Sequence, residues 1–441
     1  MNPFDIPAAQ LRRMGETRPT PGEAAALAAW LHSRRLVLLK TLLTRAERGR
    51  LPEEAARALS AHWALLEEAE QHDADAARTV LGYPAVGNWL ARALEAAPGG
   101  DFTAALAEAG ALAAAAATAA GCDFSLTLPA RGGRLALPGL GSLTTPAPRV
   151  RVEAAGGRLL LVPEGGRETV VPRAALLGHE PLPGSSWRPL RTLPGGPAVL
   201  DDHDPHLAYE EGREGLAGLR PATLTADGEA RVWQGLWTRA LALLREADPE
   251  RAAEVTGLVR ALVPVLWKPD GRASATRLAA PWAVLTTLPQ TPEEMAEVLV
   301  HEVQHSKLAV LGGVVHLDHG ADGQEAAVFR VGWRSDPRPL GAVVQGTYAH
   351  LALADLWDRL ARRASATPAE RAAARRRAED FATQVDHALF LLLGSGQLTR
   401  EGTEFVEGMR RRHARLGPSG GRSARHGARQ PADTLTPGHF G

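Results

Sequence analysis

The chemistry in this chain is concentrated in His301-Glu302-Val303-Gln304-His305, an HExxH pentapeptide set in the apolar run that begins at Met295. On a helix, positions i and i+4 share a face, so the two imidazoles can grip one metal ion together. Glu302, one step round the helix, can lie beside the open coordination positions. The plainest chemistry that uses such a pair is that of a zinc metallopeptidase: the histidines hold Zn(II), Glu302 is the general base, and a third protein ligand leaves one position for water.

The third ligand has to come from elsewhere in the chain. The peptidase variant with Gly and His three and six residues past the second histidine is excluded, because Leu308 and Leu311 stand there. Glu325 has a thermolysin-like spacing, yet its surroundings from His316 onward read as a loop. A second source is the segment from about 340 to 362, a helix whose stripe runs through Val344, Tyr348, Leu351 and Asp355, with Gln345 and His350 on its flanks. Gly346 permits a close approach there. His350 is either a metal ligand or a core imidazole bonded to backbone; Glu325 and Asp355 are the alternatives. Just upstream, Trp333-Arg334-Ser335-Asp336-Pro337-Arg338-Pro339 is stiffened by proline. It brings Arg334 and Arg338 towards the chemistry, or spends them in structural ion pairs.

These residues must be positioned by helices. Thr291 as cap, Pro292 at the first helical position and Glu293 and Glu294 in the first turn mark the start of the HExxH helix. Residues 1–121 read as helical, with a break at Pro84 and an Ala-rich helix over 103–120 ending at Gly121. From Phe124 to Val199, short apolar runs separated by Gly and Pro pairs predict antiparallel hairpins. Helical periodicity returns at Gln234–Ala247 and Pro249–Val265, then after the HExxH helix at 340–362, Pro368–Leu393 and Thr399–Leu416. The expected fold is α+β and mainly α-helical: a helical region 1–121, a hairpin-rich region 122–200, a helical metal-binding region 201–416 and a disordered tail 417–441. Asp201-Asp202-His203-Asp204-Pro205-His206 has the look of a metal cluster, but reads more simply as a polar loop or a source of substrate contacts. His316 and His319 read as capping or solvated.

Composition narrows the rest. Lys+Arg and Asp+Glu are both 50 in 441 residues, so no global charge points to nucleic acid or an acidic membrane. Cys122 is the single cysteine, which excludes an intramolecular disulfide framework and a multi-thiolate zinc site. Ala104–Ala120, interrupted by Glu108, reads as too weakly apolar for a membrane span, and Met1-Asn-Pro-Phe-Asp5 lacks the pattern of an export signal. The expectation is a soluble, cytoplasmic protein.

Taken in order, several segments resemble one family, the HExxH peptide-modification domain proteins, or 2-oxoglutarate/HExxH-type peptide β-hydroxylases. They are Leu299–Leu308 with its Ser-Lys-Leu tail, Trp333–Pro339, Gly346-Thr-Tyr-Ala-His350 and Leu398–Val406; Leu200–Pro205 is similar to a further stretch. The resemblance implies binding of Fe(II), 2-oxoglutarate and O2, and hydroxylation of a β-carbon in a ribosomally synthesised peptide. His301, His305 and His350 would then be metal ligands. Arg338 first, and Arg334 second, would clamp the distal carboxylate of 2-oxoglutarate, for which a planar guanidinium is well suited. Gln345 and Tyr348 are further candidates for co-substrate contact. Glu302 would orient a water, a ligating histidine or the substrate amide. The implied partner is a precursor peptide, with other peptide-modifying enzymes, and neither nucleic acid nor membrane. The alternative is the zinc metallopeptidase with Glu302 as base; a third class is a peptide-binding partner with a structural metal.

Overall fold

The N-terminal periodicity folds into seven helices: α1 (Ala8–Gly15), α2 (Pro21–Arg48), α3 (Glu53–His72), α4 (Ala74–Leu81), α5 (Pro84–Glu95), α6 (Gly100–Ala107) and α7 (Ala109–Ala120). The structure is a computed structural model describing residues 6–49, 51–207, 219–224, 226–267, 271–320 and 327–416; Glu325 and the expected tail 417–441 lie outside the described residues. Pro84 sits at the first position of α5, where its missing N–H is harmless, and so separates α5 from α4. Gly121, at φ 88°, ends α7 in the left-handed region. Contrary to the expectation for this stretch, Gly100–Ala120 is long and apolar enough to cross a membrane by composition. It lies mostly inside the fold, with α7 packed on α3 and α4, as a pair of core helices does.

The hairpin region holds β1 (Phe124–Pro129), β2 (Arg134–Leu137), β3 (Gly141–Thr144), β4 (Arg149–Ala155), β5 (Arg158–Pro163), β6 (Thr169–Pro172), α8 (Arg173–Leu177), β7 (Trp187–Pro189), β8 (Arg191–Thr192) and β9 (Val199–Leu200). One antiparallel sheet runs β1-β4-β5-β6 and another β2-β3-β7. In β4, Val150, Val152 and Ala154 are buried, while Arg149 and Arg151 face out, the period of two that a half-buried strand requires.

The remainder comprises β10 (Leu219–Pro221), α9 (Asp227–Ala247), α10 (Pro249–Leu258), β11 (Ala261–Trp267), β12 (Ser274–Ala275), β13 (Ala283–Thr286), α11 (Pro292–Leu311), β14 (Val328–Phe329), β15 (Arg338–Pro339), α12 (Leu340–Arg362), α13 (Pro368–Gly394) and α14 (Arg400–Leu416). The helix expected over Pro249–Val265 stops at Leu258, and Ala261–Trp267 is a strand. The reason is its place: β11 is central, parallel to both β9 and β13. A strand covered on both faces is apolar throughout and loses the alternation that identifies strands in sequence.

That sheet separates two cores. Val199, Ala261, Val263, Ala283 and Leu285 face the core built with the N-terminal helices and hairpins. Leu200, Leu262 and Val284 face the core built with α9 to α14. The fold is α+β and mainly helical, and α11, which follows β13, lies in the second core.

Candidate metal centre

Thr291 caps α11 as its sequence predicts, its side chain accepting from the Glu294 N–H, with Pro292 at the first position. The helix is buried almost throughout its length from Met295 to Leu311. Its i, i+4 spacing brings His301 and His305 together: their Nε2 atoms are 2.9 Å apart and their ring centroids 4.6 Å. Two nitrogens each about 2.1 Å from one ion, in adjacent coordination positions, are separated by about that distance.

His350, on α12, is the third imidazole. Its ring lies 5.8 Å from that of His301, so it approaches from across the α11–α12 interface. Trp333 at 4.4 Å and Phe381 at 5.2 Å wall it in. Gly346, one turn before His350, makes this possible: a Cβ there would stand 2.7 Å from the Trp333 indole nitrogen. The close approach expected of Gly346 is thus to a tryptophan ring.

Burial fixes the protonation of all three imidazoles. It holds His301 well below the usual imidazole range, with His305 and His350 adding to the effect. Burial takes His305 down to about 4 and, with His305 nearby, His350 down to about 3, against a weak opposing pull from Gln384. Neutral imidazoles are the form that binds metal. Among the described residues, Nδ1 of His305 and of His350 are buried without hydrogen-bond partners. The His301–His305 pair therefore fits two adjacent positions on one ion, while among the described residues no three His, Cys, Asp or Glu groups stand together closely enough to hold a metal.

Glu302 is fully buried, with Oε1 accepting from Ser274 Oγ at 2.6 Å and Oε2 from Thr276 Oγ1 at 2.8 Å. Thr276 Oγ1 also lies 3.1 Å from the Glu302 carbonyl oxygen. Both carboxyl oxygens are thus engaged by the edge of the central sheet, pinning α11 to β12. Burial raises the carboxyl to about 7, and the two hydroxyls oppose this.

The two arginines meet at one carboxylate. Arg334 Nε lies 3.0 Å from Asp336 Oδ1, and Arg338 Nη1 3.2 Å from Asp336 Oδ2. Arg338 sits in the short β14–β15 ladder opposite Phe329, and Arg334 directly follows the Trp333 that packs on His350. Gln345 is half-buried on α12, about 140° round the axis from His350. Tyr348 points elsewhere. Its hydroxyl donates to the Met14 carbonyl at 2.9 Å, its ring packs 5.1 Å from Phe405, and Lys307 Nζ stands 5.6 Å from it. Asp355, the alternative ligand, is bound to Arg18, Arg359 and Arg412 instead. Burial pushes its carboxyl up, but Arg251, Arg412 and Arg18 overcome that and hold it at about 2.

The sequence reading missed Ser274, Thr276, Phe381 and Gln384. None lies in a motif with the histidines, and only the folded chain brings them near. Trp333 was legible as part of the proline-stiffened segment, but not as the wall of His350. The six residues from Asp201 to His206 form a closed polar loop of their own. Asp201 accepts from the Tyr83 hydroxyl and from the N–H groups of His203 and Asp204, and Asp202 pairs with Arg191 at 2.8 Å. No family model matches the chain, and no curated protein matches it.

Proposed function

We propose that the chain is an Fe(II)- and 2-oxoglutarate-dependent oxygenase that hydroxylates a β-carbon of a ribosomally synthesised peptide, with His301, His305 and His350 as the metal ligands. The observation that carries this choice is the state of Glu302. An HExxH peptidase needs that carboxylate beside a water, whereas here Ser274 and Thr276 engage both oxygens in a fully buried site. On this reading the motif keeps its metal-gripping pair while Glu302 serves as an anchor. When bound, Fe(II) with 2-oxoglutarate would supply O2 activation coupled to oxidative decarboxylation of the keto acid.

The chain's own residues have narrower tasks. His301 and His305 offer unprotonated lone pairs on one helix face, and His350 offers a third from across the interface. Trp333 and Phe381 exclude water from His350 and fix its ring. Arg334 and Arg338 already converge on one carboxylate, that of Asp336, the arrangement that receiving a dicarboxylate's distal end requires. Glu302 is a positioning residue that holds α11 against β12. A precursor peptide as substrate, other peptide-modifying enzymes as partners and a cytoplasmic setting belong to the same proposal.

Anaerobic addition of Fe(II) and then 2-oxoglutarate tests it, by the weak visible charge-transfer band of the chelate. The band is expected in the wild type, lost in His301→Ala and weakened in Arg338→Ala. No band, together with tight Zn(II) binding that His301→Ala abolishes and zinc-dependent peptide cleavage, would establish the metallopeptidase instead.

A further inference from the structure

The Asp201–His206 loop, which the candidate metal centre does not use, closes one side of a cavity of about 50 Å³ beside α5, α7, β1 and β2. None of its walls belongs to α11 or α12. Val86, Trp89 and Leu128 give it apolar sides, and the Trp89 ring is fixed by its Nε1–H, which donates to the Ala105 carbonyl at 2.9 Å. The polar groups around it are spent on one another, with one exception. Glu108 pairs with His206 Nε2 at 2.7 Å and with Arg131 Nε at 3.2 Å. Arg134 donates to the His203 carbonyl at 2.7 Å.

Asp204 is the exception. It is 7% exposed and lines the cavity, yet its one hydrogen bond is from the His206 N–H to Oδ1, at 2.8 Å. Among the described residues, nothing donates to Oδ2 and no cation pairs with the carboxylate. Burial, with Asp201 close by, pushes this carboxyl up to about 7 against the pull of His206. His206 is itself paired with Glu108, so Asp204 is left short of positive charge, and a buried carboxylate in that position is costly unless something else brings the charge. Apolar walls and an indole face suit the hydrocarbon stem of such a cation. A water needs roughly 10–15 Å³ of such space, so the cavity holds a group several waters in size.

We propose that this cavity binds an aliphatic cation, an ammonium or guanidinium on a hydrocarbon stem, with Asp204 receiving the charge and Val86, Trp89 and Leu128 receiving the stem. The site is independent of the metal centre and of the reaction proposed there.

Calorimetric titration of the full chain with n-propylammonium, and with n-propanol as a neutral counterpart of the same size, tests the assignment. Wild type is expected to bind the cation at least tenfold more tightly than the alcohol. Asp204→Asn, which keeps the acceptor for the His206 N–H, should lose that tenfold preference. Ala111→Leu, which narrows the cavity from α7 and leaves Asp204 intact, should lose both ligands, and it decides the matter if the first variant does not fold. A blocked Gly-Gly-Arg-Gly-Gly peptide then separates the sources: equal or tighter binding assigns a peptide side chain, and exclusion of the peptide assigns a free small cation. Equal affinity for cation and alcohol in wild type, or full cation affinity in Asp204→Asn, would overturn the proposal.

Discussion

Two buried polar clusters flank α11, and they are built on opposite electrostatic terms. On one side Lys307 sits between Glu23 and Glu254, and Glu254 also accepts from Arg251 at 2.7 Å. Arg251 in turn reaches Thr17, and Arg18 links Asp248 to Asp355. Every charge there has a partner, and the lysine stays ionised because its two carboxylates outweigh its desolvation. On the other side burial holds His301, His305 and His350 neutral. The first arrangement is that of a structural joint between α2, α10 and α11. The second keeps uncharged nitrogens in a dry place, which on the proposed reading await a cation.

Lys307→Met should break the comparison most severely. It leaves Glu23 and Glu254 buried and facing each other, and should cost about 3–5 kcal/mol in urea unfolding, with partial recovery on adding Glu254→Gln. A loss under about 1 kcal/mol would mean that the joint is not structural.

The pH profile of stability separates the two sides. His305 titrates near 4 when folded against 6.5 unfolded, so between those values the unfolded chain holds the extra proton and stability rises with pH. The gain is roughly 3 kcal/mol for such a shift. The ion-paired side responds lower: Asp355, at about 2 against 3.8, loses its contribution only as pH falls through that window. Glu302 runs the other way, since its raised value makes the folded state hold the proton from 4.5 to about 7 and stability fall as pH rises. Glu302→Gln should therefore steepen the rise below pH 6.5. An unchanged slope in urea midpoints would place Glu302 in contact with water.

Gly346→Ala should cost about 1–3 kcal/mol by overpacking against Trp333. It should also shift tryptophan emission and weaken metal binding, because Trp333 is what holds His350. His305→Ala in the metal-free protein should cost about 1–2 kcal/mol, since it opens space on the buried face of α11 and removes the hydrogen bond to His301. Its Co(II) affinity, in contrast, should fall on the order of 100-fold. Smallest of all, Arg338→Ala breaks only a partly exposed pair and should move stability within about 0.5 kcal/mol. If Arg338 clamps 2-oxoglutarate, the affinity for that acid falls while Fe(II) affinity does not.

What was legible in the sequence follows the range of the interactions. The helix-end signals at Thr291, Pro84 and Gly121 depend on neighbours a few residues apart, and their positions are as expected. The meeting of His301 with His305 was readable for the same reason. The central strands were not: β11 carries an apolar run that a buried helix would also show, and its identity depends on β9 and β13. The roles of Tyr348 and Glu302 were hidden likewise. Met14 and Phe405 take the first, and Ser274 and Thr276 the second, from distant parts of the chain.

The central sheet has one further consequence. β9 comes from before residue 201 and β11 and β13 from after it, and each presents alternate side chains to a different core. Leu27 and Leu31 of α2 belong to one core, and Leu39 and Leu42 of the same helix to the other. Cutting the chain between 200 and 201 thus strips a wall from both cores at once. The two fragments should each be unable to fold alone, and the intact chain should melt in one step, because its parts share a partition instead of meeting at a joint.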